Sequence, residues 1–389
     1  MTRHANRRNL AIGAVGVGAA VLSAWTLSAQ APATGRGAAM TTMPDAIVAN
    51  SYPNPFTTVP DYFKMPAGRK WGSTAAVDID KDGKTVWILD RCGANSCYDA
   101  AAGKMSDLDP VLHFDESGKL IKSFGAGLIV FPHGIAVDPE GNVWVTDGND
   151  NRPGQGRGAA PAPVATTGTA AAGATPAGGG AGRGPIGKAA GATKGHQVFK
   201  FSPDGKLLLT LGTPGGSADP EMFYQPNDVL AAPNGDVFVG TVHGAGGGFI
   251  YKFDKTGKFL TQWGGKGTAP GQFEVAHGIA IDAKGLLWVA DRENQRIQLF
   301  DQKGTYVREM KYAGLPCAMD IGRQYVYMVN GFAGQLVRMD LAGKVLAVVG
   351  RPGKGLGEFG EAHFIAVSPK QEIYVADSVN GALVKFVKQ

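Results

Sequence analysis

The chain has 389 residues, 44% hydrophobic and 18% charged, with 38 Lys and Arg against 33 Asp and Glu for a formal charge of +5. That balance fits one large soluble domain with appendages and excludes a fibrous chain. Five of the basic residues (Arg152, Arg157, Arg183, Lys188, Lys194) fall in a single low-complexity segment, and no aromatic-basic stripe occurs elsewhere, so nothing argues for nucleic acid as a partner.

In chain order, residues 1–31 carry Arg3, Arg7 and Arg8, an uncharged stretch from Leu10 to Leu27, and the small residues around Ala29-Gln30-Ala31. This is the layout of an export signal or N-terminal anchor, and Arg7-Arg8-Asn9-Leu10 has a twin-arginine flavour. No other apolar run approaches the roughly 20 residues needed to span a bilayer, so a membrane is met only through that segment if it stays uncleaved. A periplasmic or extracellular location is expected. Residues 32–55 read as a linker. Of the three cysteines, Cys92 and Cys97 in RCGANSCYD are close enough to close a small disulfide loop, and Cys317 is left over.

From Trp71 onward one pattern recurs: a short apolar strand, a turn with Asp, Gly or Asn, a second strand, a third ending in Phe, then Gly-Lys and an outer strand. Copies begin at Ser73, His133, Asn227, His277, Cys317 and His363. The sixth stops after its third strand, ALVKFV, while TTVPDYFKM (Thr57 to Met65) precedes the first and is free to supply the missing one. A roughly 40-residue period of β-rich strands predicts an all-β fold, a six-bladed β-propeller over residues 56–389. Residues 152–195 interrupt the second copy between its second and third strands with a Gly/Ala/Pro-rich run that has almost nothing to bury and is expected to be disordered.

Three of seven histidines occupy one phase of this repeat, in FPHGIAVD (His133), VAHGIAID (His277) and EAHFIAVS (His363). Each gap is two blades once the insert is subtracted, so in a six-bladed ring the imidazoles converge at 120° intervals. The intervening copies align Ser73, Asn227 and Cys317 at that position. Three neutral imidazoles with one position open is the donor set of a catalytic zinc site. Strand polarity places the loops after Asp90, Asp147, Thr241, Asp291, Asn330 and Asp377 on the same mouth. Those loops bring Arg91, whose fork suits a carboxylate or oxyanion, His243, a candidate general base, and Arg292, read as a pin between blades. His113 and His196 fall on third strands and read as structural.

At these residues the chain resembles the peptidyl-α-hydroxyglycine α-amidating lyase (peptidylamidoglycolate lyase) family within the NHL-repeat propellers, notably in FPHGIAVDPEGNVWVTD, HQVFKFSPDGK and VADRENQRIQLF. The resemblance implies zinc on His133, His277 and His363, substrate contact by Arg91, and cleavage of the C–N bond of a C-terminal α-hydroxyglycine to an amide and glyoxylate. It implies a small-molecule or peptide C-terminal substrate, and a monomer is expected. Two departures matter. The family's catalytic tyrosine aligns with His243. Its calcium-binding aspartate after the third histidine is Phe364 here, so calcium held in the family manner is not expected, although carbonyls near Ala75 and Ile135 remain. The alternatives are a non-catalytic NHL-type propeller that binds a ligand or protein on its top face, and a lactonase-like hydrolase, for which the inner positions supply only Asn227 and no acid.

Overall fold

The computed structural model describes residues 41–42, 52–152, 191–216, 224–241, 248–312 and 314–389. The segment 1–31, expected to be an export signal or anchor, His243 and most of the insert lie outside them. Five four-stranded antiparallel sheets and one five-stranded sheet, in which Thr41–Thr42 adds in parallel to Tyr306–Lys311, form six blades along the chain, and their innermost strands pack in sequence around one axis: Thr74–Ile79, Pro132–Val137, Pro226–Ala231, Ala276–Ile281, Pro316–Ile321 and Ala362–Val367. The protein is a six-bladed β-propeller.

Blade 6 is built from both ends of the domain. Phe56–Val59 pairs antiparallel with Ala382–Lys388, Phe56 opposite Lys388 and Val59 opposite Lys385, and so forms the outer strand of the last sheet. In blade 2 the strand Val143–Asp150 pairs with Gly195–Phe201 across the insert. The neck is closed by Asn151, whose Oδ1 accepts from the Thr193 and Lys194 amides at 2.9 Å each. Lys194 and Gly195 therefore belong to the blade rather than to the low-complexity run.

The blades cohere through large side chains on the second strands. Trp87, Trp144, Phe238, Trp288 and Tyr374 are buried at corresponding positions, where alternation points them at the neighbouring sheet. The aspartate that ends the inner-strand motif has a structural duty. Asp80, Asp138 and Asp282 accept the indole N–H of Trp87, Trp144 and Trp288 at 2.6, 3.1 and 3.1 Å. A buried indole N–H needs such an acceptor.

Candidate metal centre and its mouth

The register of each inner strand fixes what reaches the axis. Ala276 pairs with Asp291 and Ala362 with Asp377, and in blade 1 the matching pair is Thr74 with Asp90. The blade 1 residue equivalent to the histidines is therefore Ala75. Ser73, expected there from the repeat alignment, sits two residues earlier, at the mouth.

His133, His277 and His363 are 0%, 0% and 2% exposed. Their ring centroids form a nearly equilateral triangle with sides of 5.1, 4.8 and 5.0 Å. In each, Nδ1 lies on a backbone carbonyl of the next blade: Asn227 at 2.7 Å, Cys317 at 2.9 Å and Ala75 at 2.6 Å. A carbonyl only accepts, so Nδ1 carries the proton and Nε2 presents its lone pair toward the axis. The glycine after two of the histidines makes this reach possible. A Cβ on Gly278 would lie 2.4 Å from the Cys317 carbonyl oxygen, and one on Gly134 would lie 2.6 Å from that of Asn227. One potential ligand atom from each histidine lies within 4.8 Å of the others. Zinc at about 2.1 Å from each nitrogen needs separations of roughly 3.5 Å, within reach of small ring rotations. The donor set, its tautomer and its burial fit that ion. Burial also pushes the His363 imidazole down to about 4, against the pull of Glu361, so it is neutral at ordinary pH, the form in which imidazole can ligate a metal.

Phe364 forms the floor. Its ring centroid lies 5.7, 5.8 and 5.0 Å from those of His133, His277 and His363. A benzene ring contributes no ligand oxygen there. Beneath it is a cavity of about 200 Å³ lined by Asp78, Asp228 and Asp320 among apolar neighbours. Each of these carboxylates accepts from an amide of the next blade, Val137, Ile279 and Val367 respectively, at 2.7, 2.8 and 2.7 Å. The six seams between inner strands are thus latched alternately, by aspartate from odd blades and by histidine from even ones.

Above the triangle, Arg91 is 5% exposed. Its guanidinium stacks 3.7 Å over Phe131 and donates to the Pro132 carbonyl, Ser73 Oγ and Asn95 Oδ1 at 3.0–3.1 Å. Arg292 occupies the equivalent place three blades away, where it donates to Glu293 and lies 3.9 Å from Glu361. Burial alone would weaken its hold on the proton, but Glu293 leads the groups that more than offset this. Cys317 is a buried free thiol beside it, pushed up to about 12 by burial, and so unreactive. The other half of the cysteine reading is a Cys92–Cys97 disulfide just after Arg91. The strand-end aspartates hold the mouth loops in place. Asp147 accepts from the Val130 and Phe131 amides, and Asp377 from those of Gly360 and Glu361.

Two histidines lie away from this centre. His113 stacks on Trp87 and bonds Thr85, and His196 is buried against Asp150. Glu361 is the mouth residue that the repeat pattern passed over. The signal was present in EAHF, where two-residue spacing puts Glu361 on the His363 side of the chain.

The NHL repeat family model matches residues 130–152 and 273–300. Over 327 residues the chain is 31% identical to peptidylglycine alpha-amidating monooxygenase of Rattus norvegicus, covering 78% of this chain and 28% of that protein. It is 30% identical to a probable peptidyl-alpha-hydroxyglycine alpha-amidating lyase of Caenorhabditis elegans, covering 53% of this chain and 48% of the relative. The match to peptidyl-alpha-hydroxyglycine alpha-amidating lyase 1 of Drosophila melanogaster is 27% identical over 82% of this chain and 57% of that one. The chain thus spans between about a quarter and a little over half of these relatives. Among solved structures, a streptogramin B lyase superposes with a TM-score of 0.50 at 15% identity, covering 86% of this chain and 98% of that one. A gluconolactonase of Xanthomonas campestris gives 0.51 at 13%, covering 82% and 87%. These two show a shared fold alone.

Proposed function

We propose that this six-bladed NHL-repeat propeller, similar over most of its length to peptidyl-α-hydroxyglycine α-amidating lyases, is a zinc-dependent carbon-nitrogen lyase acting on a peptidyl α-hydroxyglycine or a similar carbinolamide. The observation that carries the reading is the histidine triangle with every Nδ1 committed to a carbonyl of the next blade. Bound there, zinc supplies Lewis acidity toward a substrate oxygen. Arg91 supplies positive charge at the mouth to attract the substrate carboxylate. The hydroxyl proton passes to a base, for which His243 is the assignment from sequence. As the carbonyl of glyoxylate forms, the C–N bond breaks, and the departing nitrogen takes back the proton held by the base and leaves as the neutral primary amide. Buried walls and the Phe364 floor keep bulk water from the reacting carbon.

The Cys92–Cys97 disulfide supports export to an oxidising compartment. The test pairs metal analysis with turnover: about one zinc per chain, and glyoxylate released from an α-hydroxyglycine peptide. His243→Ala should keep the zinc and lose about 100-fold or more in kcat. Zinc-loaded protein that releases no glyoxylate above the uncatalysed rate would reject the lyase reading and favour a binding propeller.

A further inference from the structure

The ring of inner-strand positions that holds the three histidines is completed by Ala75, Asn227 and Cys317, which strand register places at the same level. The side chain of Ala75 is a methyl group, and the Cys317 thiol is buried beside Arg292. Asn227 is fully buried in blade 3, whose inner strand packs between those of His133 and His277. Its backbone carbonyl accepts from His133 Nδ1 at 2.7 Å and from Thr146 Oγ1 at 3.1 Å, and its Nδ2 donates to the Ala276 carbonyl at 2.9 Å. Ala276 precedes His277, so Asn227 fastens together the strands that carry two of the imidazoles. The side-chain amide has one sense only, because exchanging its ends would set Oδ1 against the Ala276 carbonyl, acceptor against acceptor. Oδ1 is the remaining end, buried and without a hydrogen-bond partner among the described residues. A protein interior seldom leaves an amide oxygen so, and at a ligand centre the donor it lacks is one a ligand can bring.

We infer that Asn227 is a specificity-determining residue of the histidine centre: its Oδ1 accepts a hydrogen bond from the hydroxyl of an α-hydroxy carboxylate or carbinolamide held there. The inference rests on the lyase reading for the identity of the natural substrate. The selectivity itself comes from the chemistry of the ring. The imidazoles turn lone pairs to the axis and Oδ1 adds a further acceptor, so the ring favours a ligand with a hydrogen to donate. The substrate hydroxyl brings one, whereas the aldehyde oxygen of glyoxylate and the methylene of an unhydroxylated glycine do not. Against those ligands Oδ1 stays buried and unpaired, which is how a polar site rejects an analogue that lacks the matching group. The contact is made before the hydroxyl proton leaves, so it governs binding and orientation rather than bond breaking.

The test uses the zinc-loaded full chain and two small probes, glycolate and acetate, which differ by the hydroxyl. Both are titrated calorimetrically, so that the readout does not depend on turnover. Asn227→Leu, close in volume and without polar side-chain atoms, should weaken glycolate binding about five- to tenfold and leave acetate affinity and zinc content unchanged. Asn227→Asp keeps an acceptor oxygen and gives up the amino group, so it should retain the wild-type ratio of glycolate to acetate affinity even where its charge weakens both. Should Asn227→Leu not fold, Asn227→Ala reads the same ratio. For an α-hydroxyglycine peptide KM should rise about fivefold with no fall in kcat, while inhibition by the same peptide ending in unmodified glycine stays as it was. Equal losses for glycolate and acetate would reduce Asn227 to a seam bond, an unaltered ratio would remove its oxygen from recognition, and loss of zinc in Asn227→Leu would make Oδ1 a ligand; each overturns the inference. A wild-type chain that releases no glyoxylate yet shows the Asn227-dependent ratio would instead overturn the lyase reading and leave the hydroxyl contact standing.

Discussion

The axis of the propeller holds two tiers of buried polar groups that do the same mechanical job with different chemistry. Both latch one inner strand to the next. In the lower tier Asp78, Asp228 and Asp320 accept backbone amides across the seams, and each carboxylate also accepts an amide on its own strand. In the upper tier an imidazole donates across the seam through Nδ1 and presents Nε2 to the axis. A carboxylate spends both oxygens on the backbone, whereas an imidazole latches with one nitrogen and can ligate with the other. The fold therefore turns a structural latch into a set of potential metal donors by changing the residue type in alternate blades.

His277→Ala is the strongest way to break the contrast. It should lower zinc content from about one to near zero and activity by more than about 100-fold, read by elemental analysis and glyoxylate release. Retained zinc in this variant would show that the upper tier is only a latch. Phe364→Ala opens the floor between the tiers and should cost about 3–5 kcal/mol in denaturant unfolding while zinc stays bound. Loss of zinc without loss of stability would mean the ring positions the ligands instead of filling space.

The smallest effect belongs to the lower tier. Burial pushes Asp78, Asp228 and Asp320 up to about 7, 8 and 6. The folded state thus binds more protons than the unfolded chain between about pH 4 and pH 8, so stability falls as pH rises through that window. Asp228→Asn should cost about 1–3 kcal/mol at its seam and flatten the stability-pH slope by up to one proton, with zinc content unchanged. An unaltered slope between pH 5 and pH 8 would show that Asp228 does not titrate there.

The upper tier was legible in sequence because three histidines share one repeat phase, and spacing alone puts them in alternate blades. The lower tier was not. Asp228 lies one residue beyond the histidine phase while Asp78 and Asp320 lie three beyond it, so no motif gathers them, and only sheet register shows that they line one cavity. Register also explains the Ser73 misalignment, since blade 1 lacks the His-Gly landmark and its pairing with Asp90 had to be seen. Glu361 was missed for a different reason: its meaning depends on Arg292, two blades away in the chain, and on a seam that local pattern does not encode.

The strand Phe56–Val59 has its partner more than 300 residues later, in Ala382–Lys388. Five blades complete themselves from nearby chain, whereas the sixth must wait until both ends of the domain meet. Closing so long a loop carries an entropic cost that grows with its length, and such non-local pairing slows folding in general. His363 enters the histidine triangle on that same last blade, and its carbonyl acceptor, Ala75, belongs to the first. Closing the ring therefore also seats the third imidazole against the first blade.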